Sequence, residues 1–339
     1  MMDTLFGDTA RRLFAQAYPT DVLRAVERGQ APQAAWQAVE DSGFLDALVP
    51  EDADGAGLRL ADIAPLAQAV GWHAVGAPVM QTLLARAWLH AAGHTPPPGP
   101  IALAPSAIRI DADGIDAHAV GAARAAEWVL AAVPGGARLL PIAGARSVAS
   151  GGHGCLDADL HWPAATVNAA ALAKMADVAV ADLAAVAYAG IIAGALERIL
   201  DLTVEYANQR TQFGKPIGRF QAVQQQISVL AEQVWAVRTA AQLAYQSASW
   251  MPQPLLAAQG KARASAAVAR AADIAHAVHG AIGVTAEYDL QCHTRRLREW
   301  RRCTGSELHW NARVGAHALA AGEQSALDFV RLHLYAVIE

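Results

Sequence analysis

The sequence predicts a mainly α-helical protein with a small β domain set between two helical regions. Three observations lead there. Hydrophobic residues make up 54% of the 339 positions but aromatics only 6%, and alanine, the strongest helix former, supplies most of the excess. A break at Pro96-Pro97-Pro98-Gly99-Pro100 is followed by short β-like runs separated by turn signals. Beyond about Ala169 the apolar residues recur at helical spacing, in long runs broken only by Gly/Pro clusters. The chain also exceeds the roughly 250–300 residues at which single cores stop growing. The expected domains are 1–94, N-terminal helices; 95–168, a reduced β domain; and 169–339, a C-terminal four-helix bundle.

In the first domain, Ala31 to Asp41 carries a helical pattern stopped by Ser42-Gly43. An apolar connector runs from Gly43 to Pro50, then a Gly/Asp-rich turn from Glu51 to Gly57. Helices follow at Leu60 to Gly71 and Val79 to Ala92. The β runs are Ile101–Leu103, Ala107–Ile110, Trp128–Val133 and Arg138–Ile142, with turns at Asp111-Ala-Asp-Gly114 and Pro134-Gly135-Gly136. The bundle helices read as Lys174 to Asn208, Phe220 to Trp250, Leu256 to His279 and Ser306 to Ala321, with a further segment to Ile338.

Composition excludes several classes. The longest apolar candidate, Val178 to Leu196, contains Asp182 and two glycines, so no membrane span is expected. No basic region followed by an apolar run opens the chain, so no secretory signal is expected. Three cysteines (Cys155, Cys292, Cys303) are too few and odd for a disulfide scaffold and suit a reducing cytoplasm. With 26 basic against 31 acidic residues, a net charge of −5 disfavours nucleic acid as partner.

The most informative stretch is Tyr206-Ala-Asn-Gln-Arg210-Thr-Gln212-Phe213-Gly-Lys-Pro-Ile217-Gly-Arg-Phe220-Gln221. A helix ends on an arginine, a glycine-bounded turn exposes an aromatic, and a second helix begins. Free backbone N–H groups beside Arg210 suit a phosphate or pyrophosphate. On physics alone an ordinary helix hairpin with a surface arginine fits equally.

This stretch resembles the signature that opens the C-terminal bundle of the acyl-CoA dehydrogenase family. Gly43 to Gly57 is similar to that family's N-terminal turn, and His279-Gly280-Ala-Ile-Gly283-Val-Thr-Ala-Glu287-Tyr288 resembles its "H-G-G-x-G-Y-T-x-E-Y" turn. The helix–β–helix order matches as well. The resemblance implies FAD lying between subunits, an acyl-CoA substrate, a protein electron acceptor, and a homo- or hetero-oligomer, dimer or tetramer, of homologous chains. By position it implies cofactor contacts for Arg210, Gln212, Phe213, Ile217, Gln221, Gly280 and Ser306.

The departures are as telling. The family's base, a Glu of an "E-G-T" triplet, falls here on Thr304-Gly305-Ser306, and its alternative position falls on Ala184. Removing a weakly acidic α-proton needs a placed base, and neither residue supplies one. The catalytic residue is therefore unassigned; the nearest carboxylates, Glu299 and Glu307, read as a solvated surface charge and a first-turn helix charge. The family's "L-T-E-P-x-x-G-S-D" and "W-x-x-N-G" flavin strands are missing, Ala277 and Ala281 replace two further residues, and Trp128 and Trp162 read as packing.

His276, His279, Cys292, His293 and Cys303 fit no zinc spacing, so no metal is expected. The cluster Arg295, Arg296, Arg298, Arg301, Arg302 reads as a solvated helix face or subunit contact, or as an attractor for a CoA phosphate. Together these features look like the shorter, base-lacking companion subunit of heteromeric acyl-CoA dehydrogenases, forming 2-enoyl-CoA. The alternatives are a self-sufficient homo-oligomer with a relocated base and a non-catalytic helical scaffold.

Overall fold

A computed structural model describes residues 2–28, 30, 33–105, 108–175, 178–322 and 325–335. The expected helix start at Ala31, strand start at Ala107 and chain end at Ile338 lie outside the described residues. The N-terminal region holds α1 (Met2–Ala17), α2 (Thr20–Glu27), α3 (Gln33–Glu40), α4 (Ala64–Trp72) and α5 (Val79–Ala91). Their inner faces bury Phe14, Tyr18, Leu66, Met80, Leu84 and Trp88 in the main core.

Ten short strands occur among the described residues, eight of them in the middle of the chain. They are β1 (Ile101–Ala104), β2 (Ile108–Asp111), β3 (Gly114–Val120), β4 (Trp128–Val133), β5 (Gly136–Pro141), β6 (Arg146–Ala149) and β7 (Ala158–Pro163). After α6 (Ala164–Ala169) comes β8 (Leu172–Ala173). They form two four-stranded sheets, β1-β4-β5-β8 and β2-β3-β7-β6, in which only β1 and β4 run parallel. Ile115, Val129, Leu140, Leu160 and Trp162 fill the space between them. Trp162 satisfies its indole N–H on the Pro141 carbonyl at 2.8 Å.

The remainder comprises α7 (Val180–Gln209), the hairpin β9 (Thr211–Gln212) and β10 (Lys215–Pro216), α8 (Gln221–Ala244), α9 (Pro254–His279), α10 (Leu290–Arg302), α11 (Glu307–Ala321) and α12 (Ala326–Phe329). α7, α8, α9 and α11 make the bundle, and α10 is a fifth helix lying on α7 and α9. Two helix ends depart from the sequence pattern for identifiable reasons. α7 begins at Val180 rather than Lys174, because the Trp88 indole holds the Val178 carbonyl at 2.9 Å and Leu172–Ala173 pairs with β5. α8 stops at Ala244, short of Trp250. Beyond it the Ser247 hydroxyl bonds the Ser249 N–H at 3.2 Å and the Met251 carbonyl at 2.7 Å, offering the backbone an alternative to helix. α10 is a helix beyond the four expected in the bundle; its run of arginines masks the apolar spacing that marks the others.

α7 is the spine of the molecule. By length and composition it is apolar enough to cross a membrane, Asp182 and its glycines notwithstanding, but 83% of its most apolar window is buried inside the protein, as in a core helix. It meets α4 backbone to backbone. A Cβ at Gly194 would lie 1.9 Å from the Gln68 carbonyl oxygen, and one at Gly71 1.8 Å from that of Ile191. We expect Gly194→Ala to force the two helices apart and lower stability by about 1–3 kcal/mol or more. A urea midpoint equal to that of the wild type would contradict this contact.

Candidate functional site

α7 ends at Gln209, and Arg210 leaves the helix in an extended conformation, φ −73° and ψ 115°. Its carbonyl accepts the Ile217 N–H at 2.8 Å, closing the base of the β9–β10 hairpin. Gln212 pairs with Lys215, so the loop is only Phe213 and Gly214, both at positive φ (50° and 79°). Two consecutive positive φ values define the type I′ turn that fits the strand twist, but its first position disfavours a residue as bulky as phenylalanine. Phe213 is nonetheless 92% exposed at the tip, its ring 6.2 Å from Phe220.

The hairpin is also uncompensated in charge. Arg210, Lys215 and Arg219 form no ion pair among the described residues; Lys215 instead lies 4.4 Å from the Phe220 ring centroid. Gln212 and Gln221 are exposed beside them and Ile217 is half-buried against the core. An exposed aromatic among free cations fits a molecule that is anionic along one part and planar at another.

Gly280 joins this end of the bundle. It caps α9 at φ 64°, and the preceding His279 stacks on Tyr206 with centroids 4.5 Å apart and planes 21° from parallel. Tyr288 closes the stack at 5.1 Å from His279. Tyr206 sits one helical turn before Arg210, a spacing the sequence displayed without its partner being visible. Ser306 does not join. It precedes α11, which is tied through Arg313 to Asp182 at 3.3 Å, in the first turn of α7. Cys303, three residues before Ser306, lies at Tyr188, which the 22 residues of chain to Arg210 set about 33 Å from the hairpin end.

At Ser306's end, the base positions are empty of carboxylate and the space beside them is closed. Thr304 sits at φ 61°, a strained conformation for a β-branched residue, with its hydroxyl buried and unpartnered. Ala184 is fully buried. Gly121, just after β3, packs so tightly that a Cβ there would come 2.5 Å from the Tyr188 hydroxyl and 2.8 Å from the Cys303 sulfur. No room is left between the strands and the bundle at that point.

The nearby carboxylates are committed. Glu299 is 4% exposed rather than solvated, because its Oε1 accepts the Leu156 N–H at 2.9 Å and Arg296 grips its other oxygen. The Arg301 guanidinium pairs with Glu307 and holds it below the usual glutamate range, which makes it a weaker proton acceptor. Arg295 pairs with Glu27 and Arg298 with Asp273, so most of the α10 cluster is neutralised within the chain. Lys261 is fully buried, and burial pushes it down to about 7. It donates to Ser265 and to the carbonyls of Trp300 and Arg301, capping α10. Among the described residues no group of three His, Cys, Asp or Glu side chains could hold a metal ion.

Relieving the turn gives a test of the hairpin. Phe213→Gly removes the positive-φ penalty and loses no packing core, so stability is expected to hold or rise by up to about 1 kcal/mol. A fall of about 2 kcal/mol in chemical denaturation would show that Phe213 is a packing residue instead.

Residues 178–311 match the C-terminal domain family of the acyl-CoA dehydrogenases. The chain is 32% identical to acyl-CoA dehydrogenase IpdE2 of Mycobacterium tuberculosis over 297 residues, 86% of this chain and 89% of that one. It is 30% identical to acyl-CoA dehydrogenase FadE34 of the same organism over 334 residues, 91% of this chain but 46% of that protein. Among solved structures, the ChsE4-ChsE5 complex from Mycobacterium tuberculosis superposes with a TM-score of 0.80 at 20% identity, covering 96% of this chain and 98% of that chain. Sequence relatives over most of its length and a shared architecture lead to one conclusion: the chain belongs to the acyl-CoA dehydrogenase family of oxidoreductases.

Proposed function

We propose that this chain is the companion subunit of a heteromeric, cytoplasmic, FAD-dependent acyl-CoA dehydrogenase. A homologous partner chain houses the flavin ring and the base, and a 2-enoyl-CoA is formed from an acyl-CoA. The three-part division at 94/95 and 168/169 belongs to the same reading. The observation that carries it is the contrast between the two ends of α7. One end presents an open, cationic hairpin; at the other, Gly121, Tyr188 and Cys303 leave no space beside a position without a carboxylate. FadE34 supports the reading, since the match leaves more than half of that protein beyond a region like this chain. The paired chains named for ChsE4-ChsE5 support it too.

The residues fit half of the cofactor. Arg210, Gln212, Phe213, Ile217, Gln221 and Gly280 suit the pyrophosphate and adenosine of FAD; the closed wall does not suit its ring. When bound in the partner, FAD supplies a hydride acceptor for the β-hydrogen, with an electron-transfer protein as the onward acceptor. This chain's work is then to fix the anionic stretch through charge-assisted bonds and to cover the adenosine with Phe213. Ser306 follows Cys303 at the Tyr188 wall rather than on the arm, so in this reading its expected contact is with a second cofactor.

The chain purified alone is expected to show little or no acyl-CoA dehydrogenation, since removal of a general base typically lowers rates by about 10²–10⁴. Robust turnover by the homo-oligomer, abolished by Glu307→Gln, would overturn the companion reading. In the complex with its homologue, Arg210→Glu is expected to lower flavin retention at least about tenfold, or about 1.4 kcal/mol. Flavin-to-protein ratio reads this, with circular dichroism as control. A folded mutant complex with a full flavin complement would reduce Arg210 to a turn residue.

A further inference from the structure

We propose that the glycine-rich strap from Ser150 to Leu156 is a pH-governed latch, held on α10 by a proton on the buried carboxyl group of Asp157 where it meets Glu299. The inference rests on geometry within this chain and is independent of the companion reading.

The strap, Ser150-Gly-Gly-His-Gly-Cys-Leu156, joins β6 to β7. Gly151 and Gly154 take φ values of 82° and 76°, so the segment has hinges at both ends of its bend. Arg124 secures it to its own domain: the Arg124 N–H bonds the Leu156 carbonyl at 2.9 Å and its guanidinium the Cys155 carbonyl at 2.9 Å. Its polar anchorage to the bundle runs through Glu299, which takes the Leu156 N–H on one oxygen and touches the carboxyl group of the next residue, Asp157.

Asp157 and Glu299 are each 4% exposed. Two carboxyl groups in hydrogen-bonding contact, out of water, cannot both stay ionised at low energetic cost. The charges facing them leave one negative charge to be cancelled by a proton. From α10, Arg296 is committed to Glu299, and Arg302 acts on Asp157 only weakly. From α7 comes the Tyr188 hydroxyl, with Gln81 of α5 behind it, and beyond α10 the Cys303 thiol, 3.8 Å from Asp157. The strap itself adds Cys155, and the Ala122 N–H bonds Asp157 from the β3–β4 connection. From α9, Lys261 is itself pushed down by burial and is neutral in alkali. Burial first, and the charge of Glu299 second, raise Asp157 well above the usual carboxylate range.

The closed strap therefore binds the proton more tightly than the released one. Closure is strongest in acid and weakens, by up to about tenfold per pH unit, as pH rises from the ordinary carboxylate value to the raised one. Above that it is weakest and constant.

Amide exchange of the peptide spanning residues 150–157 in the full chain tests this, at about pH 6 and about pH 9, corrected for intrinsic exchange. Peptides from β3 and β7 serve as the internal reference for global unfolding. The strap is expected to open at least about tenfold more at the higher pH while the reference peptides stay protected. Asp157→Asn, whose amide donates to Glu299 without titrating, is expected to keep the strap closed at both values. Wild-type protection that does not change with pH, strap and reference opening together, or an Asn variant that opens as the wild type does would each overturn the latch.

Discussion

Helices α4 and α7 touch through their backbones, with Gly71 and Gly194 standing where any side chain would collide with a carbonyl. Everything else in the molecule is positioned from that crossing. Because α4 lies so close, α7 is almost wholly buried from Val180 to Leu196 and can be apolar there without facing water. A rigid central helix then carries three separate tasks along its axis. Asp182 holds α11 near its start, Tyr188 closes the wall within its first third, and Tyr206 seats the α9 turn near its end. The distance between the two candidate ends is fixed by helix geometry and does not adjust.

The helical classes and the exposed aromatic turn after Arg210 were legible in the sequence because their signals are local, although the two short strands that frame the turn were not. Alanine content, the Pro96–Pro100 break and the Arg210–Gln221 spacing each act within one or two turns of chain. What stayed hidden is long-range. Glu299 reads as a surface charge by itself; its burial depends on Leu156, more than a hundred residues earlier in the chain. The wall of Gly121, Tyr188 and Cys303 draws on three distant segments, and no spacing rule connects them. Ser306 could be matched by position, yet only the packing of Cys303 beside Tyr188 shows that this segment sits some six helical turns from Arg210. Helix ends failed where side chains compete for backbone groups, as Ser247 and Ser249 do after α8.

Charge is distributed with the same division of labour. On α10 four arginines each find a carboxylate, two from neighbouring segments and two from within or just beyond the helix, so the cluster binds the molecule to itself. On the hairpin the cations are left free. A basic run in the sequence thus gives little guide to where an anion is held. Whether acidic partners surround the run decides it, and those partners come from elsewhere in the fold.

The two-residue loop at Phe213 and Gly214 has a further consequence for how such chains can diverge. A hairpin this short has no slack to absorb an inserted or deleted residue. A shift of one position would turn Phe213 to the opposite face and move Arg210 out of line with α7. Substitutions around the arm can accumulate while its length cannot change. Loop length, more than residue identity, is then the property by which working versions of this arm would be told from decayed ones.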